Sequence, residues 1–208
     1  MQQLQLPPIV LECPECGEKY LVANEANLLS EKAILYSDGF YIDEQLWRTP
    51  GIIGCVTCEL GFCPVKGKII ATPTWDEFYQ KWSHLKKAEP PAAGALALEL
   101  RARRNMDIET EKLIRKEFWY AANHTETGRM LMANNEKFRN FWISSLVRFE
   151  EILDSNNPEE RITKAEVNRN LGRFETCFSN LEGVSGILPD AIREETLKGN
   201  YSVFQIKS

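Results

Sequence analysis

Two Cys-x-x-Cys pairs, Cys13/Cys16 and Cys55/Cys58, are the residues of this chain best suited to chemistry. One such turn aims two thiolates at a common point. Two turns supply four sulfurs at about 2.3 Å from a shared ion, the closed tetrahedral shell of a structural zinc. Gly17 directly follows the first pair and accepts the positive φ that the turn needs. Four protein ligands leave no position for water, so the expected ion is structural and not catalytic. Reduced cysteines with no metal, or a redox pair, are the competing readings. A redox pair would open a helix in a βαβ unit, and neither pair has that setting. Cys63 adds a second ambiguity. It can replace Cys55 or Cys58 as a ligand, although a two-residue spacing within one tight turn favours Cys55/Cys58, with Cys63 as a buried neighbour.

The elements around these cysteines read as short strands and turns over residues 9–72. Ile9-Val10-Leu11 leads into the first pair and Tyr20-Leu21-Val22 leads out. The 38 residues between Cys16 and Cys55 exceed usual ribbon spacing. A hairpin around Asp38-Gly39, flanked by Ala33–Ser37 and Phe40–Ile42, fits that insert. Lys68-Ile69-Ile70-Ala71 is the expected last strand. Thr74 and Glu77 form a capping box that opens a helix running to about Lys87, with Trp75, Phe78, Tyr79, Trp82 and Leu85 as an apolar stripe.

Glu89-Pro90-Pro91-Ala92-Ala93-Gly94 breaks the pattern, because consecutive prolines stop a helix and favour extended chain. The expected plan is a zinc-ribbon-like domain with a flanking helix over 1–88, a linker over 89–94 and a helical domain over 95–208. The fold class is therefore α+β, a small β-rich ribbon followed by a mainly α-helical domain. Helices are predicted near 95–104, 108–123, 134–154, 158–171, 173–183 and 188–198, with 201–206 as a short strand or docked tail. Cys177 stands alone among these helices and reads as a small buried apolar residue.

Two helical segments are patterned. One carries Arg115, Trp119, Asn123 and Arg129; the other carries Ala165, Glu166, Arg169, Leu171, Gly172 and Phe174. Leu171-Gly172-x-Phe174-x-x-Cys177 places a glycine where two helices pack closely, which is similar to half of a tetratricopeptide hairpin. With the cysteine pairs, this arrangement resembles a group of uncharacterised bacterial proteins that begin with a Cys-x-x-Cys ribbon and end in helices. The resemblance implies a bacterial, cytosolic origin and supplies no activity. Arg115, Arg129, Glu166 and Arg169 are polar residues near apolar helix faces. They read as ion pairs that fix helix register, or as a surface for an anionic ligand or a partner helix.

Charge narrows the functional classes. Residues 1–72 hold nine acidic and five basic residues, and the remainder 21 and 20. Neither half has the basic excess that binding to a phosphate backbone favours. The one basic concentration, Lys81, Lys86, Lys87, Arg101, Arg103 and Arg104, flanks the linker. The start lacks a signal-peptide pattern and no apolar run reaches the roughly 20 residues of a membrane span, so the expectation is a cytoplasmic protein with no membrane partner. Of two histidines, His84 is expected to face solvent and His124 to cap a helix end. No nucleophile elbow, phosphate loop, zinc-protease motif or dinucleotide fingerprint occurs. The leading expectation is a zinc-stabilised binding or scaffold protein acting through protein–protein contacts. The alternatives are a nucleic-acid-binding regulator that uses the ribbon, and an enzyme with an unrecognised site among the helices.

Overall fold

A computed structural model describes residues 6–24, 29–44, 46–102 and 106–206. Arg103 and Arg104 of the basic stretch lie outside the described residues. Strands dominate the first part and helices the second, so the chain is α+β with a small β region followed by a helical region. It separates into two compact units: Met1–Ala33 with Ile42–Ala92, and Ile34–Tyr41 with Ala93–Ser208.

The first unit is built on strands β1 (Ile9–Glu12), β2 (Lys19–Val22), β7 (Lys68–Ala71) and β8 (Lys86–Lys87), in sheet order β7-β1-β2-β8. β1 pairs antiparallel with both β2 and β7, while β8 runs parallel to β2. A separate small ladder joins β5 (Ile53–Gly54) to β6 (Gly61–Phe62). The buried cluster is modest: Leu11, Tyr20, Val22, Ile53, Phe62 and Ala88, together with Cys13 and Cys55. Apolar residues on both sides of the first cysteine pair therefore do double duty, forming strands and walling the sulfurs.

The helix expected over 74–87 is much shorter. Thr74 and Glu77 form the capping box, but the α-turn α1 covers only Trp75–Glu77. A π-turn, Phe78–Trp82, follows, and Leu85 N–H already bonds to Trp82. Two causes are visible. No residue of either turn is buried, so the aromatic stripe has no core to face. The chain beyond it gains more by joining the sheet, where Lys86 pairs with Tyr20 and Ala88 N–H donates to Leu21 O at 2.8 Å.

In the second unit the helices are α2 (Ala93–Ala102), α3 (Ile108–His124), α4 (Glu126–Asn134), α5 (Glu136–Ile152), α6 (Pro158–Asn170), α7 (Phe174–Leu181) and α8 (Ile187–Leu197). Leu96, Ile114, Phe118, Trp119, Leu146 and Phe149 are buried. Ala165, Cys177, Leu181 and Ile192 form a further cluster, so Cys177 is the small buried residue its isolation suggests. Helix α4 has no counterpart in the predicted set. Gly128 discourages a helix by propensity, yet a Cβ there would lie 1.9 Å from Ala121 O, so glycine is what lets α4 start against the end of α3. Gly172 has a different task from the close packing expected of it. Among the described residues nothing lies within 4 Å of where its Cβ would be; its φ of +71° ends α6, with Arg173 N–H donating back to Asn168 O.

The Asp38-Gly39 hairpin forms, with β3 (Ile34–Tyr36) and β4 (Tyr41–Ile42) on either side of Gly39 at φ +83°. It is not simply an insert of the ribbon, because Ile34–Tyr41 belongs to the helical unit. β3 pairs with β9 (Gln205–Ile206), giving the order β4-β3-β9. Ser37 Oγ donates to Glu166 Oε1 at 2.6 Å, and Tyr120 Oη donates to Asp38 O at 3.2 Å.

Candidate metal centre

The two cysteine turns have the same backbone. In the first, Cys13 N–H donates to Glu18 O at 2.7 Å, and Gly17 has φ +79°. In the second, Cys55 N–H donates to Leu60 O at 3.0 Å, and Glu59, at the position matching Gly17, has φ +60°. Each turn follows or joins a strand of the first unit, which fixes its direction. The result brings Cys13, Cys16, Cys55 and Cys58 together, with all four sulfurs within 4.8 Å of one another. The Cys13–Cys58 and Cys16–Cys55 sulfur separations are 3.9 and 3.5 Å. A tetrahedron with bonds of about 2.3 Å has edges of about 3.8 Å. The four cysteines are thus positioned to bind a metal ion.

Cys63 lies outside this group. It is buried, and its carbonyl accepts from Lys66 N–H in the turn Pro64–Lys66.

Acidities within the group show why a cation suits it. Burial pushes the Cys55 thiol up, but hydrogen bonds from the Tyr20 hydroxyl and the Cys58 and Thr57 N–H groups outweigh this and bring it down to about 6. At Cys16 the Glu18 N–H favours the thiolate, yet desolvation and the sulfurs of Cys55, Cys13 and Cys58 prevail and push it up to about 12. One thiolate forms readily and its neighbours resist a second negative charge. A dication at the centre removes that resistance and displaces the protons.

Tyr20 is the functional residue that sequence reasoning misses. Its hydroxyl donates to Cys55 Sγ at 3.3 Å and accepts from Val56 N–H at 2.9 Å, so it orients one ligand and ties the second turn to β2. The burial of a strand tyrosine is legible, but its hydroxyl partner, 35 residues away, is not. Thr57 Oγ1 donates to Glu18 Oε2 at 2.7 Å and links the two turns at the surface.

No protein-family model, curated protein or solved structure matches the chain. The metal group is therefore argued from its own geometry.

The other candidate residues divide. Glu166 and Arg169 come together as an ion pair with essentially no exposure, Arg169 Nε donating to Glu166 Oε2 at 2.7 Å. Arg169 also donates to the carbonyls of Asn200 and Ser202 and lies 4.8 Å from the Phe204 ring centre. Trp119 Nε1 donates to Asn170 Oδ1 at 2.8 Å, and Asn170 Nδ2 reaches Glu166 at 3.3 Å. Burial pushes the Glu166 carboxyl up, against the pull of Arg169 and Ser37. Arg115 is engaged elsewhere, with Glu111 at 2.8 Å and Ser145 Oγ at 2.9 Å. Arg129 is exposed and donates to Asn123 O at 3.3 Å. His124 does more than end α3: its ring bonds to Asp38 Oδ2 at 2.8 Å and stacks on Phe40 with centres 4.1 Å apart. His84 is exposed, as expected.

Proposed function

We propose that this chain is a zinc-stabilised binding or scaffold protein that acts through contacts with another protein. The observation that carries the reading is the group of four sulfurs at tetrahedral spacing. Four thiolates in that geometry select zinc over hard cations such as magnesium or calcium. They also fill the shell, so the ion holds two turns together and offers no open position to a substrate. Free thiols in this number suit a reducing, cytosolic setting.

The protein-contact part of the proposal rests on the flank of the second turn. Val56, Leu60 and Val65 are 62%, 48% and 88% exposed within ten residues, beside acidic Glu59 and, across the turns, Glu15 and Glu18. Apolar side chains held outward on a rigid turn, with an acidic rim, suit a partner that is apolar with basic edges.

The test has two arms. Purified full-length protein should carry one zinc per chain and lose its β signal with a strong chelator. A Val56→Asp/Leu60→Asp variant, folded and zinc-loaded, should lose the partner that intact protein retains in cross-linking from its source cell. Metal-free folded protein would overturn the first arm, and an unchanged partner set the second.

A further inference from the structure

The first unit divides by charge along its sequence. Residues 1–63 contain nine acidic and three basic residues, whereas residues 64–87 contain five lysines and two acidic residues. The basic segment joins β7 to β8, the two outer strands of the four-stranded sheet. Lys68 therefore stands at one edge and Lys86 at the other, with Lys81 in the π-turn between them. Among the described residues, none of these three lysines forms a salt bridge.

Four of the eight residues in the turns between these strands are aromatic, and none is buried. Trp75 and Tyr79 are 38% and 66% exposed and stack on each other, with ring centres 5.7 Å apart and planes 24° apart. Phe78 meets both edge-on, at 5.7 and 5.4 Å, and holds the pair in place. Trp82 takes Lys19 Nζ over its face at 5.9 Å. The Glu77 carboxylate turns back onto Thr74 N–H at 3.0 Å in the capping box and stays exposed, and the charge of Lys81 offsets part of its own. Lysines on edge strands have a simpler use, blocking unwanted strand pairing. That use does not explain why a tryptophan and a tyrosine remain stacked in solvent between them.

We infer that the segment from β7 to β8 is a binding site for single-stranded nucleic acid, with unpaired bases stacking on Trp75 and Tyr79 and phosphates meeting Lys68, Lys81 and Lys86. Every base offers a π-face, so such a platform binds single strands with little sequence preference, and flanking cations supply the salt-dependent attraction. Bases paired inside a duplex cannot reach it. The site rests on the reading of this unit as a metal-held binding module. It differs from the ribbon's common use in being carried by the segment that follows the cysteine turns, where Lys68 stands opposite Glu12 across β1 and β7.

The experiment is fluorescence anisotropy of labelled oligo-dT and oligo-U with zinc-loaded, full-length protein, titrated with salt. Single strands should bind at low salt, a duplex of equal length more weakly. Tyr79→Ala and Trp75→Ala should each weaken binding by roughly tenfold, the scale of one lost base stack. Lys81→Gln/Lys86→Gln should weaken it and flatten the salt slope by about 1.4, from about 0.7 per phosphate contact. Zinc content and circular dichroism are measured on every sample, and the well-exposed Tyr79 decides the matter if Trp75→Ala fails to fold. A folded, zinc-loaded protein that ignores single strands at low salt overturns this inference alone; a protein without zinc overturns the earlier proposal instead. Binding indifferent to both ring substitutions, or equal binding of poly-glutamate, also overturns it, the latter in favour of an acidic protein partner.

Discussion

In the first unit, four groups that would repel one another as anions, the sulfurs of Cys13, Cys16, Cys55 and Cys58, sit within 4.8 Å. In the second, a carboxylate and a guanidinium, Glu166 and Arg169, sit in contact with almost no exposure. Both arrangements crowd charge, the first half-buried and the second fully buried, but they meet its cost differently. On the proposed reading the first unit takes in a cation, because its apolar cluster is small. The helical unit supplies its own cation and surrounds the pair with hydrogen bonds from Ser37 and Asn170. It tolerates the desolvation because a larger apolar core carries the stability. On the proposed reading, then, the first unit is conditional on a ligand and the second is not.

The largest effect expected breaks this contrast directly. Removing the metal, or making Cys13→Ser/Cys16→Ser, forfeits metal binding of about 10–16 kcal/mol, which matches or exceeds the whole stability of a typical domain. Hydrogen exchange should then lose protection in β1, β2, β5 and β6 while α3, α5 and α6 keep theirs. Equal loss in both units would show that the metal also governs the helices and that the contrast is wrong.

Next in size is Arg169→Ala. It leaves Glu166 buried with no cation, and such half-broken pairs cost about 3–5 kcal/mol. Replacing both, Glu166→Leu with Arg169→Met, should be far milder, because it removes the desolvation cost along with the attraction. Urea unfolding followed by helical circular dichroism checks both. A single variant within about 1 kcal/mol of the parent, the level of a surface pair, would make the buried pair incidental.

A smaller effect separates this pair from one at the rim. Burial pushes the Glu111 carboxyl up, but Arg148 and Arg115 outweigh it and hold it below the usual carboxylate range. A lowered value in the folded state means that the unfolded chain binds the proton more readily. The stabilisation is thus complete above the unfolded carboxylate range, near 4.3, and is lost as pH falls through the folded value. Glu111→Gln should cost about 1 kcal/mol at neutral pH and progressively less in acid. A cost that grows as pH falls would contradict the assignment.

These regions were unequally legible. The cysteine pairs were readable because ligand spacing is local: each turn lies within four residues, and the glycine after the first marks its backbone. The α+β order, the capping box at Thr74 and Glu77, and the Asp38-Gly39 turn were readable for the same reason. What failed was long-range. The aromatic stripe from Trp75 to Trp82 has helical spacing, but whether a core faces it depends on a sheet formed by distant strands. Helix α4 fell between two predicted helices, and the place of Gly128 in it depends on the Ala121 carbonyl of another helix. Ser37 and Asp38 looked like part of a ribbon insert, since nothing near them in sequence announces Glu166 or His124 as partners. Glu166 and Arg169, three apart on a helix, were readable as a pair; Arg115 and Arg129 were grouped with them by spacing alone, and their partners lie elsewhere.

The smallest effect sharpens the comparison from inside the ribbon. Gly17 and Glu59 occupy the same left-handed position in the two cysteine turns, but only glycine is free of strain there. A side chain in that conformation costs roughly 1–2 kcal/mol, partly offset by the greater unfolded-state freedom of glycine. Glu59→Gly should therefore stabilise the metal-bound unit by about 0.5–1 kcal/mol, read as a higher melting temperature and slower release of metal to a competing chelator. Glu59 also places a negative charge beside thiolates, so Glu59→Gln is the necessary control: it keeps the strained backbone and removes the charge. If the glutamine variant gains as much as the glycine variant, the gain is electrostatic and the backbone argument fails. If only glycine gains, the second turn carries a strain that the first does not, and it is the metal that holds Glu59 in place.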